Sequence, residues 1–191
     1  STIDRIDYSS DTTTATAKGP LTIVRITHGA TGNQSYGYFA CSSYYPGPEN
    51  SSVDRVDYSS DTPTTTAKGP LTATRGYFGA TGTASYGYFG GGFTYPSPAP
   101  RLSLVDRIDY SNDTPTASPK GPLTRNVNCD AVTSSASYGY WCGGYDDPTP
   151  GNSSTVDRID YSNDTATAVS KGPVSRTLGQ KASGISPRDY G

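Results

Sequence analysis

Ile3-Asp4-Arg5-Ile6-Asp7-Tyr8 is written again as Val53-Asp54-Arg55-Val56-Asp57-Tyr58, Val105-Asp106-Arg107-Ile108-Asp109-Tyr110 and Val156-Asp157-Arg158-Ile159-Asp160-Tyr161, at steps of 50, 52 and 51 residues. Ten residues after each tyrosine comes Lys-Gly-Pro, led by Lys18, Lys68, Lys120 and Lys171. A fixed period near 50 residues marks a chain made by stacking one supersecondary unit, each unable to bury its apolar face alone. We read residues 1–191 as a single repeat domain with phases starting near residues 3, 53, 105 and 156.

Working outward from these words, one repeat resolves into strands and turns. Gly76 to Gly82 reads as a short strand closing in Ala80-Thr81-Gly82, and Ser85 to Phe89 alternates into a second strand ending at Gly90-Gly91-Gly92. Phe93 to Ser103 has almost no strand pattern. Leu104 to Tyr110 is the third strand, with Val105, Arg107 and Asp109 on one face and Asp106, Ile108 and Tyr110 on the other. Ser111-Asn112-Asp113-Thr114 is a turn, because Asn and Asp side chains bond their own downstream backbone. The fourth strand runs through Thr116 to Ser118 and stops near Lys120-Gly121-Pro122, where proline removes a ladder donor.

Composition is consistent with this reading. Leu, Ile, Val and Phe number 26, few enough to suggest disorder, but the formal charge of −2 lacks the self-repulsion that keeps chains open. Sixteen Tyr and 22 Gly supply flat aromatic surface and turn capacity instead. We expect an all-β fold of four-stranded antiparallel units, the blade of a β-propeller. With no Lys/Arg cluster and no apolar run of about 20 residues, nucleic-acid binding and a membrane span are not expected.

Strand, strand, double glycine (Gly90-Gly91, Gly143-Gly144), variable loop, a strand ending in Asp-Tyr (Tyr8, Tyr58, Tyr110, Tyr161), turn, last strand, then Arg25, Arg75, Arg125 or Arg176: this order resembles the kelch repeat over essentially the whole chain. The resemblance implies a propeller topology. The chain departs from it in lacking the last-strand tryptophan, whose positions hold Ala15, Thr65, Ala117 and Ala168; its single tryptophan, Trp141, is on a second strand.

The phase of the ends points to four blades. Ser1 enters before a third strand, and Gly191 stops where Gly90 stops in the second repeat, at the close of a second strand. Pairing of the N- and C-terminal strands would close a four-bladed ring within one chain; the same pairing between chains would give an eight-bladed dimer or a head-to-tail fibre. A longer array, of which this chain is one portion, is the third reading.

The repeated charges read as scaffold. Arg5 with Asp7, Arg55 with Asp57, Arg107 with Asp109 and Arg158 with Asp160 share strand faces and are expected to form structural ion pairs between neighbouring blades. An oxygen-ligand calcium site from Asp4, Asp7 and Asp11 is disfavoured because an arginine already sits in every such cluster. No metal and no cofactor are expected. His28 is the single histidine and joins no recognisable nucleophile motif, so no catalytic residues and no enzyme are expected. Cys129 and Cys142 flank a hairpin and form a candidate disulfide in an oxidising compartment, with Cys41 left over.

Function is expected in the variable loops, since loops on a rigid scaffold carry binding residues. Tyr44, Tyr45, Phe93, Tyr95, Tyr145 and Asp146 are the candidate ligand-binding residues, held among prolines as low-entropy aromatic platforms for a carbohydrate or protein ligand. Asn33, Asn50, Asn112, Asn152 and Asn163 lie in Asn-x-Ser/Thr and are candidate glycosylation sites. The sequence thus reads as a non-catalytic extracellular, virion-surface or cell-surface binding or adhesion module, a monomer or a homo-oligomer through blade completion. The competing reading is a structural subunit of a fibre, coat or virion surface.

Overall fold

A computed structural model describes residues 1–10, 12–26, 28–42, 50–94, 100–129, 131–147, 151–179 and 184, without the side chains of Ser42 and Asp147. Its third strands are the repeated words. β1 (Ile3–Arg5) pairs antiparallel with β2 (Thr16–Lys18) in a two-stranded sheet. Three four-stranded antiparallel sheets follow. The second sheet holds β3 (Gly29–Gly32), β4 (Tyr36–Ser42), β5 (Asn50–Asp57) and β6 (Thr66–Lys68); the third holds β7 (Gly79–Gly82), β8 (Tyr86–Gly90), β9 (Val105–Asp109) and β10 (Ser118–Lys120). After β11 (Asn126–Asn128), the fourth sheet takes β12 (Val132–Ser134) and β13 (Tyr138–Cys142). The chain then detours through β14 (Tyr145–Asp147) and β15 (Gly151–Asn152) before completing that sheet with β16 (Val156–Asp160) and β17 (Val169–Lys171). In the second and third sheets the chain pairs consecutive strands, as expected from the repeat, and in the fourth β13 pairs with β16 across the detour.

Two features differ from expectation. The loop after β13 carries regular pairing: β11, β14 and β15 make a separate three-stranded sheet, with Asn128 opposite Tyr145 and Tyr145 opposite Asn152. The double glycine is also offset by one position. Gly91 (φ 78°) and Gly143 (φ 67°) occupy the left-handed region after the second strand, and Cys41 (φ 56°) stands in the same place in the second sheet, where the ladder slips between Ala40 and Ser42. Glycine suits that conformation because it has no Cβ to crowd the backbone, and a buried cysteine there is unusual.

The core lies between sheets. Tyr38, Ala40, Val53, Leu71, Phe78, Phe89 and Ile108 bury one junction; Tyr88, Val105, Leu123, Val127, Trp141 and Ile159 bury the next. Trp141 is fully buried and reaches across to Gly90, where a Cβ would lie 2.7 Å from its indole. The expected pairing of the strand around Tyr190 with that around Ile6 lies outside the described residues.

Candidate ligand groove and the sheet junctions

Each junction is assembled from the Lys-Gly-Pro words. Gly69 N–H donates to the Asp113 carbonyl at 2.9 Å and the Pro70 carbonyl accepts from Ala117 N–H at 2.8 Å; Gly121 with Asp164, and Pro122 with Ala168, repeat the pair at 2.8 Å each. Gly19 with Asp61 and Pro20 with Thr65 do the same at the first junction, at 2.9 and 3.0 Å. The backbones approach so closely that only glycine fits: a Cβ on Gly69 would lie 1.8 Å from the Pro115 carbonyl oxygen.

The turn aspartate then gathers the cations of the preceding sheet. Asp113 receives Arg55 at 2.8 Å, Lys68 at 3.1 Å and the Tyr38 hydroxyl at 2.9 Å. Asp164 receives Arg107 at 2.7 Å, Lys120 at 3.5 Å and the Tyr88 hydroxyl at 2.8 Å. Asp61 receives Arg5 at 2.8 Å and Lys18 at 3.1 Å. Burial opposes the Asp113 carboxylate, but donation from Tyr38 and Lys68 and the charge of Arg55 outweigh it and hold its pKa below the ordinary carboxylate value. Burial in turn pushes the Tyr38 and Tyr88 hydroxyls well up, keeping them protonated as donors.

Arg5, Arg55 and Arg107 of the repeated word therefore pair between sheets, but with carboxylates other than those named from the sequence, and Arg158 lies over the Tyr138 ring of its own sheet. Asp7, Asp57, Asp109 and Asp160 instead accept from the backbone N–H and hydroxyl of Ser9, Ser59, Ser111 and Ser162 at 2.6–2.9 Å, which lowers their pKa values. A carboxylate two residues along one strand shares the arginine's face, yet the turn beyond it captures the carboxylate first. The first aspartate of the word, Asp54 or Asp106, is fully buried and pairs at 3.0 Å with Arg25 or Arg75, themselves solvent-inaccessible, while accepting from Thr22 or Thr72. That pairing spans about thirty residues and was not expected. Its signal was the arginine that closes each repeat.

Of the six loop candidates, Tyr44, Tyr45 and Tyr95 lie outside the described residues. The other three serve the scaffold: Phe93 bridges Gly76 and Arg101, Tyr145 carries the Arg101 guanidinium 4.3 Å over its ring, and Asp146 is ion-paired with Arg125. Cys129 and Cys142 are not bonded to each other. The hairpin register sets Val132 opposite Trp141, so Cys142 meets Ala131, and the Cys129 thiol points to the carbonyls of Ala131 and Cys142. Asn112, Asn152 and Asn163 are exposed, whereas Asn33 and Asn50 cap local turns through their side-chain oxygens. His28 lies against Phe39, ring centroids 5.9 Å apart.

A site not foreseen lies where the first strands of the three complete sheets run side by side. A groove of roughly 740 Å³ is lined by Thr31, Asn33 and Gln34 from the second sheet, Thr81 and Thr83 from the third, and Ser134 and Ser135 from the fourth, together with Ala30, Ala80 and Val132. It shares Thr83 and Ala136 with a second cleft of roughly 410 Å³ containing Tyr86, Tyr138 and Tyr161. Tyr86 and Tyr138 are held flat by Arg107 and Arg158, each guanidinium 4.2 Å above the ring. Thr31 and Thr81 are oriented by the Tyr110 and Tyr161 hydroxyls at 3.3 Å. No charged side chain stands among the described lining residues of the groove; the cleft adds three tyrosines and Asp160. The repeated Ala-Thr-Gly and Ser-Tyr-Gly-Tyr were its signal in the sequence.

Among the described residues no helix is long and apolar enough to cross a membrane, and no group of three His, Cys, Asp or Glu side chains could hold a metal ion. No family model matches the chain, and no curated protein matches it. The fold is similar to that of a solved structure described as the structure of YjhT, with a TM-score of 0.69 at 9% identity, covering 90% of this chain and 52% of that one. This chain thus spans about half the length of that neighbour, and the likeness is one of fold.

Proposed function

We propose that this chain is a non-catalytic binding module built on a kelch-like β-propeller scaffold, taking a neutral, polyhydroxylated ligand such as a glycan in the groove between its first strands. One observation carries the reading: Thr31, Asn33, Gln34, Thr83 and Ser135, from three sheets, line a groove without charged side chains that shares Thr83 and Ala136 with a cleft containing Tyr86 and Tyr138; the Thr83 and Ser135 hydroxyls accept from turn amides, which leaves their hydrogens to donate. Sugar rings are bound by such pairings of directional polar groups with flat apolar surface. The charged groups with depressed pKa values belong to junctions and turns that repeat with the fold, which supports a binding role over a catalytic one. The exposed sequons at Asn112, Asn152 and Asn163 support an extracellular or surface setting.

Titration calorimetry against a panel of neutral oligosaccharides tests the proposal. Binding by the native chain that is lost in Tyr138→Ala and in Thr83→Lys, with unchanged circular dichroism, is the expected result. Absence of any carbohydrate binding, or binding indifferent to both substitutions, sinks it.

A further inference from the structure

The turn that leads into each second strand is written three ways: Asn33-Gln34-Ser35-Tyr36, Thr83-Ala84-Ser85-Tyr86 and Ser135-Ala136-Ser137-Tyr138. All three close the turn alike. Asn33 Oδ1 accepts from the N–H groups of Ser35 and Tyr36 at 2.9 Å, Thr83 Oγ1 from Ser85 and Tyr86 at 3.1 and 3.0 Å, and Ser135 Oγ from Ser137 and Tyr138 at 3.4 and 3.2 Å. Asn33 does one thing more. Its amide donates across to the third sheet, to the Ala84 carbonyl at 3.2 Å. The equivalent bond one sheet further on would run from Thr83 to the Ala136 carbonyl, and the threonine hydroxyl, one bond nearer its own backbone, does not make it. No described residue donates to the Ala136 carbonyl. Thr83 and Ala136 instead both line the cleft of roughly 410 Å³ that holds Tyr86, Tyr138 and Tyr161.

Resting on the groove reading above, we propose that Thr83 is the specificity-determining residue of the site: it leaves the boundary between the third and fourth sheets unbridged, and one sugar ring of the ligand enters the cleft there. One ring hydroxyl donates to the Ala136 carbonyl and a neighbouring hydroxyl accepts from Thr83. The pairing follows from the hydrogen-bond inventory. The Thr83 oxygen already accepts two backbone N–H groups, so its hydrogen is what it offers, whereas a carbonyl can only accept. A donor and an acceptor lining one cleft suit adjacent hydroxyls of a single ring, since each hydroxyl gives as well as takes. The three tyrosines supply the apolar surface that a sugar ring also needs. The volume falls within the about 300–1,000 Å³ of ordinary ligand pockets. At the preceding boundary the Asn33 amide occupies the equivalent carbonyl, so the repeat yields one ring site and not two.

Calorimetric titration with the neutral oligosaccharide panel, trisaccharides of glucose, galactose and mannose among them, is the test, on protein made in a non-glycosylating host. The native chain should bind at one site. Thr83→Ser keeps both the turn bonds and the gap, and should bind as the native chain does. Thr83→Asn repeats the Asn33 bridge, and should weaken binding by about tenfold or more with a melting temperature at or above the native one. Asn33→Thr keeps its turn bonds, opens the equivalent space between the second and third sheets, and should raise the number of sites from one to two. Native affinity in Thr83→Asn, lost binding in Thr83→Ser, or a single site in Asn33→Thr each overturns the role of Thr83 and leaves the groove reading standing. A native chain that binds no member of the panel overturns both.

Discussion

The Tyr88 hydroxyl donates to Asp164 across 2.8 Å, joining the second strand of one sheet to the turn of the next, and Tyr38 makes the same bond to Asp113 at 2.9 Å. The acceptor also holds Arg107 and Lys120, so the tyrosine contributes within a network. Tyr88→Phe should cost roughly 1.5–3 kcal/mol, the range for a hydrogen bond to a charged group. A double-mutant cycle with Asp164→Asn, read by urea unfolding, should show coupling above about 0.5 kcal/mol. Strict additivity would mean that the bond contributes nothing specific.

Arg75 and Asp106 form an ion pair with both side chains withdrawn from solvent. Removing one partner leaves the other charge buried and unbalanced, so Asp106→Ala should destabilise by about 3–5 kcal/mol. Asp57→Ala, which removes only an exposed turn cap, should cost about 0.5–1 kcal/mol. Comparable losses at the two sites in chemical denaturation would contradict the burial of the first.

Acid should weaken the junctions in a defined direction. The Asp113 carboxyl is held below its unfolded value, so the stability it contributes is complete above about pH 4 and is lost as pH falls through the lower folded value. Urea midpoints of the native chain should therefore drop on acidification below about pH 4. Asp113→Asn should show a shallower drop over the same window, from a lower starting stability.

The thiols should differ in reactivity. Burial pushes Cys41 up to about 12, so almost no thiolate forms near neutral pH. Cys142 is also raised by burial but is only partly covered and has Arg125 nearby. Alkylation of the native chain at pH 8, followed by mass spectrometry, should label Cys142 well before Cys41. Equal labelling would show that the second-strand end containing Cys41 opens readily.

The strands of the repeated word were legible because alternation along Val105 to Asp109 and the turn chemistry of Ser111 to Thr114 are local. The choice of carboxylate was not, since Asp109 and Asp164 are both reachable from Arg107 and only packing of the next sheet, some 57 residues on, brings the second within 2.7 Å. The Asp106 pairing with Arg75 was hidden for the same reason. The groove escaped notice because its residues are small and unremarkable within one repeat and acquire meaning only when three copies lie side by side. The loops drew attention through their tyrosines, yet Tyr145 and Asp146 are occupied by Arg101 and Arg125.

The close contact of Gly69 and Gly121 with the turns that follow them has a consequence for how the chain can change length. Each sheet takes its backbone partners and its counter-charge from its neighbour, so stability is passed along the series as a nearest-neighbour quantity. A duplicated segment of about one period carries a Lys-Gly-Pro face at its end and an Asp-bearing turn at its start, and would slot between existing sheets without a new interface having to be invented. Growth by whole repeats is easy for such a chain, whereas a fractional insertion would break the lock on both sides.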